Sequence, residues 1–426
     1  MCGSAMSVAR GLRRLHSGAD DPSAPTFAAR PGAPHSAGAD GPRRRHRATT
    51  VGISTDIQSP GHKAYDSACF ALRFSPCGTR LAGGFFDGCV RVFHTGSQRQ
   101  LHRLSLTEAP AQAAGAHVAG TWTGFAVEDW KMPDMDAVTN LRWVPDDQQL
   151  LLAAVDISGT VGMWDVSSEA SPRLVSKAAM GSGELTAMTF SEDRGRLFLA
   201  GLDSTIKVCD FAQGSGDLRL AYTLGNRLLG DGHLGKVMGL AADPSSPSVV
   251  ASAGLDRRVC LWDIRAGRGR RRHLPVGCLR GTEVAGDSIA FSADGRMLFA
   301  ASHRSADTFQ FFDLRHLSSQ VPLTAAESYS WDGQPSELGC GEPGCMPLSA
   351  GWDAANRIIV AAGEKDALGM AYRRQTGGRG LQLLGTVPLA AAHGAMFAAA
   401  VDDSARLAAF GGSDGSVQIM DLSQFW

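Results

Sequence analysis

Residues 254–265 read GLDRRVCLWDIR, with an aspartate six positions before a tryptophan and a second aspartate directly after it. The Gly-Leu-Asp start contains two of the residue types that dominate tight turns. The short, largely apolar run that follows is typical of a β-strand. This stretch therefore predicts a turn followed by a strand, and its relatives elsewhere in the chain decide the fold.

The chain contains seven related stretches with the same internal order. Each begins with a predicted strand and a polar turn, continues with a strand rich in small apolar residues, and ends with an aspartate turn and a third strand. The spacing of six residues from aspartate to aromatic occurs at 87/93, 256/262 and 366/372. Self-similarity at this spacing indicates a repeat architecture. The copies span residues 70–95, 139–166, 186–211, 237–264, 287–314, 348–373 and 396–422.

Two dipeptides recur with these copies. Trp-Asp stands at 164–165 and 262–263, and Gly-His stands at 61–62 and 232–233. On these residues the chain resembles the WD40-repeat family of β-propellers. The resemblance implies an all-β fold, a seven-bladed WD40 β-propeller, with four strands in each blade.

The last copy ends after its third strand, at Leu422. We expect the missing outer strand of that blade to come from residues 48–54, which read ATTVGIS. The propeller domain is therefore assigned to residues 48–426, with N-terminal and C-terminal strands closing the ring in one blade. Closure of this kind leaves no open sheet edge.

The fourth copy carries a complete set of the family's structural residues: His233, Ser252, Asp256 and Trp262. The resemblance implies that Asp256 accepts a hydrogen bond from His233, which contacts Ser252, which is reached by the Trp262 indole. Leaving such a buried group unpaired costs roughly 1–3 kcal/mol. Asp, His and Ser also make a hydrolase triad, but no Gly-x-Ser-x-Gly elbow accompanies them. A propeller hydrolase stays as a remote alternative.

Residues 249–265 also resemble the extended box of WD40 substrate receptors of cullin-4 ubiquitin ligases. In that group a Trp-Asp-x-Arg ending contacts the adaptor. The resemblance implies adaptor-binding roles for Asp263 and Arg265. Phe312-Asp313-Leu314-Arg315 is a partial second copy and adds Arg315 as a candidate.

Two insertions, 107–135 and 316–345, carry aromatic residues among polar ones. A regular strand order would place both loops on the face that carries the aspartate turns. Loops on a rigid scaffold often bind partners, and exposed aromatic side chains anchor them. The alternative is that these aromatic residues pack the loops onto the propeller. The candidate residues are Trp122, Phe125, Trp130, Tyr329 and Trp331.

Other chemistry has weaker support. Residues 230–237, GDGHLGKV, approach a phosphate-binding loop, but Val237 stands where a magnesium-binding hydroxyl is needed and a strand follows. Cys340 and Cys345 lack two further zinc ligands. No metal or other cofactor is predicted. The basic loop 265–273 suits either phosphate binding or plain solvation.

The nine cysteines show no disulfide framework, which favours a reducing compartment. Residues 1–47 are rich in Ala, Gly, Pro, Ser and Arg and predict a disordered basic tail. A mitochondrial transit peptide is the alternative for this segment. No apolar run predicts a membrane span, and the net charge of -1 does not favour nucleic acid.

These features together predict a non-catalytic scaffold, or a subunit of a multiprotein complex, whose partners are other proteins. We expect it in the cytoplasm, the nucleus or both.

Overall fold

A computed structural model provides the fold. It describes residues 50–53, 68–106, 136–144, 149–181, 183–212, 217–265, 274–304, 307–316, 327–330, 346–353, 355–363, 368–375, 380–389 and 394–426. The predictions for the tail 1–47 and for Trp122, Phe125, Trp130, Trp331, Cys340 and Cys345 lie outside these residues. The compact unit comprises Ala48–Trp426.

The described residues form strands and three short 3-10 turns, at Arg227–Leu229, Leu314–His316 and Ser423–Phe425. The strands, in chain order, are β1 (Thr50–Ile53), β2 (Cys69–Phe74), β3 (Arg80–Phe85), β4 (Cys89–His94), β5 (Gln100–Ser105), β6 (Val138–Trp143), β7 (Leu151–Asp156), β8 (Thr160–Asp165), β9 (Arg173–Ala179), β10 (Leu185–Phe190), β11 (Arg196–Gly201), β12 (Ile206–Ala212), β13 (Asp217–Leu224), β14 (Val237–Ala242), β15 (Val249–Gly254), β16 (Arg258–Asp263), β17 (Gly277–Arg280), β18 (Ile289–Phe291), β19 (Met297–Ala301), β20 (Phe309–Asp313), β21 (Glu327–Tyr329), β22 (Pro347–Trp352), β23 (Ile358–Gly363), β24 (Leu368–Arg374), β25 (Leu381–Pro388), β26 (Met396–Val401), β27 (Leu407–Gly412) and β28 (Val417–Asp421).

These strands build seven four-stranded antiparallel sheets, which are the blades of a propeller. Blades 1 to 6 are β2–β5, β6–β9, β10–β13, β14–β17, β18–β21 and β22–β25, each in sequence order. The first strand of every blade contacts the first strand of the next, and β26 of blade 7 contacts β2 of blade 1. The seven first strands therefore surround a central channel.

Blade 7 joins the two ends of the propeller. Its order is β26-β27-β28-β1, and β1 runs antiparallel to β28, with Thr50 opposite Met420 and Ile53 opposite Val417. An early segment of the chain thus covers the edge that β28 would otherwise expose.

Packing between blades explains why the second strands are rich in small residues. Every residue of β3 (RLAGGF), β7 (LLAAVD) and β23 (IIVAAG) is buried. Alanine and glycine allow neighbouring sheets to approach to the density of a protein interior. The third-strand position that carries the tryptophan in blade 4 is buried in all seven blades, at Phe93, Trp164, Cys209, Trp262, Phe312, Tyr372 and Met420.

Antiparallel order gives the propeller two distinct ends. The upper face carries the turns between second and third strands and the connections between blades. The lower face carries the turns between first and second strands and between third and fourth strands. No helix among the described residues is long and apolar enough to cross a bilayer.

Candidate interaction surfaces

The structure brings the four structural residues of blade 4 into one hydrogen-bonded chain. His233 Nδ1 lies 3.0 Å from Asp256 Oδ1, and its Nε2 lies 2.7 Å from Ser252 Oγ. Trp262 Nε1 donates to the same Oγ over 2.8 Å. With the imidazole hydrogen on Nδ1, the ring donates to the carboxylate and accepts from the serine hydroxyl. Each of these buried polar groups then has a partner.

Asp256 also organises the upper-face loop around it. Its carboxylate accepts hydrogen bonds from the backbone N–H of Leu234, at 2.7 Å, and of Arg258, at 3.2 Å. Burial raises the pKa of the Asp256 carboxyl, but hydrogen bonds from His233 and these amides outweigh it, so the pKa lies below 3.8. Gly232 adopts a positive φ of 92°, and a Cβ there would overlap the Trp262 ring. The Gly-His dipeptide is therefore the entry of the chain into blade 4.

These groups are enclosed within the blade. The relative exposures of His233 and Ser252 are both 0%, and that of Trp262 is 1%. Ser252 Oγ is enclosed, so it offers no substrate an approach, and the triad-like set holds the blade together. The neighbouring GDGHLGKV sequence leads into strand β14, and its Lys236 forms an ion pair with Glu184.

The upper face of blades 3 and 4 presents a group of exposed leucines, here called the leucine patch. Leu202 and Leu255 lie in the second-to-third-strand turns of blades 3 and 4, and the other three lie in the connection between these blades. Their relative exposures are 47% for Leu202, 95% for Leu228, 72% for Leu229, 43% for Leu234 and 43% for Leu255.

Hydrogen bonds hold the leucine patch in place. Asn226 Oδ1 accepts from the backbone N–H of Leu228, at 3.0 Å, and of Leu229, at 3.3 Å. The Leu202 amide donates to the Glu184 carbonyl at 3.0 Å, and the Leu255 amide donates to the Lys236 carbonyl at 3.1 Å. The side chains of Glu184 and Lys236 pair with each other. Each turn is thus held by the backbone of one of two residues whose side chains form an ion pair between blades 3 and 4.

The lower face of blades 4 and 5 carries two matching ion pairs. Arg265 donates from Nε to Asp263 Oδ1 and from Nη2 to Asp263 Oδ2, both at 3.1 Å. Arg315 forms the same two-point contact with Asp313, with Nε 2.9 Å from Oδ1. The side chains of Arg265 and Arg315 are 67% and 61% exposed. The hydrogen bond from Arg265, with its charge, holds the pKa of Asp263 below its ordinary value despite partial burial.

Comparison with known families gives the repeat its name. The model of the family described as WD domain, G-beta repeat, matches residues 55–94 and 226–263. The second match contains all four residues of the hydrogen-bonded chain in blade 4, and the fold has the seven blades that such repeats build. The chain is a WD40-repeat β-propeller.

Solved structures share this WD40 propeller's architecture. A chain in the crystal structure of a mitotic checkpoint complex is 15% identical, with a TM-score of 0.59, over 94% of this chain and 99% of that chain. At this identity the likeness shows the fold alone. Matching solved chains number 1760, so the fold selects no single function. The search of curated proteins finds no match.

One predicted partner-binding residue of this WD40 propeller, Tyr329, is buried, so that prediction is wrong. Tyr329 was expected as an aromatic anchor in a loop, but it lies in β21, the outer strand of blade 5, and is 2% exposed. Its ring packs edge-on against Phe311, with centroids 6.0 Å apart, and its hydroxyl donates to Glu327 Oε2 at 3.0 Å. Residues 327–329 pair with β20 as the outer strand of blade 5, and the Tyr329 side chain is therefore buried against Phe311 instead of exposed.

Sequence reasoning missed the leucine patch. A signal was present, because Gly-Leu-Asp occurs at both 201–203 and 254–256. Each puts a large apolar side chain in a turn, where glycine and polar residues dominate. Within the described residues, no cluster of three or more His, Cys, Asp or Glu side chains has the arrangement of a metal site.

Proposed function

We propose that this WD40 propeller is a non-catalytic interaction scaffold whose leucine patch binds a partner protein. The supporting observation is that three upper-face loops of the adjacent blades 3 and 4 carry five exposed leucines. Single exposed leucines are common on protein surfaces, whereas a contiguous apolar patch marks a binding surface.

The energetics favour Leu228 and Leu229 as the anchors. They are the most exposed leucines of the patch, at 95% and 72%. Full burial of a leucine side chain stabilises a complex by about 1.5–3 kcal/mol. Their backbone amides are already held by Asn226, so binding need not order this part of the backbone.

The test compares two double variants of the full-length protein by quantitative affinity capture from its native cell. Leu228→Asp with Leu229→Asp places charges in the patch. Leu220→Asp with Leu383→Asp is the matched control, because these leucines are 46% and 45% exposed on the outer strands of blades 3 and 6.

We expect the patch variant to lose specific partners that the control keeps, and both variants to melt at the wild-type temperature. A captured partner, once purified, should bind the patch variant at least about tenfold more weakly, as loss of one buried anchor implies. Identical partner sets for the two variants would overturn the proposal.

A second candidate function is substrate reception for a cullin-4 ubiquitin ligase through the lower face. Its support is the pairing of Asp263 with Arg265 and of Asp313 with Arg315 in one conformation on adjacent blades. Two matching exposed ion pairs, one in the box of blade 4 and one in its partial second copy in blade 5, offer an adaptor a repeated polar contact.

Arg265→Glu combined with Arg315→Glu tests this second function. Arg296→Glu is the control, since Arg296 is 66% exposed on the same face and pairs with Asp294. Loss of a cullin-4 adaptor from captured complexes with the double variant, and its retention with Arg296→Glu, would support reception. A wild-type capture without the adaptor would exclude this function in that cell.

We also propose residence in the cytoplasm, the nucleus or both. Free thiols among the described residues suit a reducing compartment, and they include Cys69, Cys77, Cys209, Cys260 and Cys278. Microscopy of the full-length protein tagged at its C-terminus tests this. A mitochondrial signal that disappears on deletion of residues 1–47 would favour the transit-peptide alternative instead.

A further inference from the structure

Two cysteines face each other across the outer half of blade 4. Cys260 on β16 is directly opposite Cys278 on β17, and their Sγ atoms lie 3.5 Å apart. Residues opposed on antiparallel strands have Cα atoms about 4.5–5.5 Å apart. Disulfides span Cα separations of about 4.4–6.8 Å. A bond between these sulfurs therefore needs side-chain rotation and no rearrangement of the sheet.

The two sulfurs differ in their access to solvent. Cys260 is 0% exposed and belongs to the apolar cluster that contains Trp262 and Val208. Cys278 is half-buried and packs at the margin of that cluster. A small oxidant from solvent therefore reaches Cys278 first, with Cys260 directly behind it.

The surroundings favour a thiolate on the outer sulfur. The hydrogen bond from the Cys260 thiol lowers the pKa of Cys278 to about 7 against partial burial, and the charges of Arg258 and Arg280 act in the same direction. Arg258 and Arg280 are themselves opposite each other, two residues along the same strands, and so share the cysteines' face. The same hydrogen bond and burial raise the pKa of Cys260. Cys278 is thus the nucleophile and Cys260 the resolving thiol.

We propose that Cys260 and Cys278 form a redox-active dithiol, which hydrogen peroxide converts to a disulfide and cellular thiols reduce again. The Cys278 thiolate attacks one peroxide oxygen and breaks the O–O bond, which gives a sulfenic acid and a hydroxide that takes up a proton as water. Cys260 then loses its proton and attacks the Cys278 sulfur, which expels the second oxygen as water. Each sulfur gives up one electron, and peroxide accepts both.

Two other described cysteines, Cys209 and Cys77, have different surroundings. Cys209 is buried opposite Leu220, and burial raises its pKa to about 12. Cys77 is exposed. Partial burial raises its pKa, but hydrogen bonds with Ser75 and Thr79 together outweigh it and lower the pKa. Its side-chain neighbours are hydroxyls, at 3.3 and 2.9 Å, rather than a second thiol. Cys77 is therefore a matched control: its thiol can be oxidised, but its side-chain neighbours are hydroxyls that cannot form a disulfide with it.

Oxidation would affect the lower face of blade 4. The disulfide would close a loop over residues 260–278, which includes Arg265, and would fasten the four-residue strand β17 to the strand that carries Trp262. Cross-links act mainly by restricting the unfolded chain. The oxidised protein should therefore melt a few degrees higher than the reduced protein. The dithiol is not part of the leucine patch, so its oxidation does not depend on partner binding there.

The experiment treats reduced full-length protein with one equivalent of hydrogen peroxide, alkylates the remaining thiols, and maps the cysteines by peptide mass spectrometry. The expected product is a peptide pair joined through Cys260 and Cys278, lighter by two hydrogen atoms and separated by dithiothreitol. Cys278→Ser should abolish the cross-link, and Cys77→Ser should leave it unchanged.

A second variant keeps the test decisive if Cys278→Ser unfolds. Cys260→Ala should trap Cys278 as a sulfenic acid that dimedone labels, and wild-type protein should show much less label. Irreversible oxidation of wild-type Cys278 without a cross-link would overturn the proposal. So would oxidation confined to Cys77, or equal dimedone labelling of Cys278 in wild-type protein and Cys260→Ala.

Discussion

Arg142 of blade 2 donates hydrogen bonds to both carboxylate oxygens of Asp287, which precedes the first strand of blade 5. The Nη1–Oδ2 distance is 2.6 Å and the Nη2–Oδ1 distance is 2.9 Å. Arg73 of blade 1 pairs with the same carboxylate, and Asn140 donates to it at 3.3 Å. Blade 5 is not adjacent to blades 1 or 2, so this cluster bridges the central channel.

Removing the carboxylate of Asp287 should destabilise the propeller. The side chain is 12% exposed, and Arg73 and Arg142 are 23% and 15% exposed. Breaking one partner of such an enclosed pair leaves uncompensated charge and costs about 3 kcal/mol or more. We expect Asp287→Ala to lower the free energy of unfolding by about that amount in urea denaturation.

Asp294→Ala provides the comparison for Asp287→Ala. Its ion pair with Arg296 spans 3.8 Å, and both side chains are more than half exposed. Surface pairs contribute about 0–1 kcal/mol. Equal effects of the two substitutions would show that the channel cluster carries no special stability.

The channel cluster should also make stability depend on acid pH. Burial raises the pKa of Asp287, but Arg142 and then Arg73 outweigh it and hold the pKa at about 2, below the ordinary 3.8. A depressed folded-state pKa contributes stability above the unfolded-state value and loses it as pH falls toward the folded-state value. The stability gap between wild type and Asp287→Asn should shrink as pH falls from about 4 to about 2.

The acid effect is measured by urea denaturation of the two proteins at a series of pH values. A gap that stays constant below pH 4, within the range where both proteins fold, would contradict the role assigned to Asp287. Asp294→Asn serves as the exposed control.

Trp262→Ala should destabilise blade 4 strongly. The indole is 1% exposed and donates to Ser252 Oγ at 2.8 Å, so the substitution removes a large buried side chain and a hydrogen bond. Large aromatic-to-alanine changes in cores cost about 3–5 kcal/mol. Trp426→Ala is the control, because Trp426 is 54% exposed. An unchanged melting temperature for Trp262→Ala would refute the structural assignment of these residues.

Removing β1 should open the ring. Deletion of residues 1–54 removes β1 and so exposes the edge of β28 at residues 417–420, which pair with β1 in the intact protein. Unpaired strand edges promote association between molecules. Size-exclusion chromatography with light scattering should show oligomers or aggregates for this deletion and a monomer for deletion of residues 1–47. A stable monomer in both cases would mean that blade 7 tolerates an open edge.

The sequence by itself determined the repeat. Aspartate turns, small second strands and a recurring buried third-strand position are local features, and each copy carries them within about thirty residues. Seven copies therefore predicted seven blades, and His233, Ser252, Asp256 and Trp262 could be grouped because the family's repeat places them in one blade. Tyr329 was misassigned because the sequence around it does not show whether a short segment pairs with β20 or remains a loop.

Only the tertiary structure showed which residues from different strands and blades become neighbours. Arg73 and Arg142, on the first strands of blades 1 and 2, meet Asp287 at the entry to blade 5 because ring closure brings these blades around one channel. The leucines of the leucine patch come from upper-face loops of two adjacent blades, and any one of them alone would be an ordinary exposed leucine. Cys260 and Cys278 face each other because of the β16–β17 register. Periodicity encodes which face a side chain takes within a strand, whereas neighbours across strands and blades depend on register and closure, which are long-range properties.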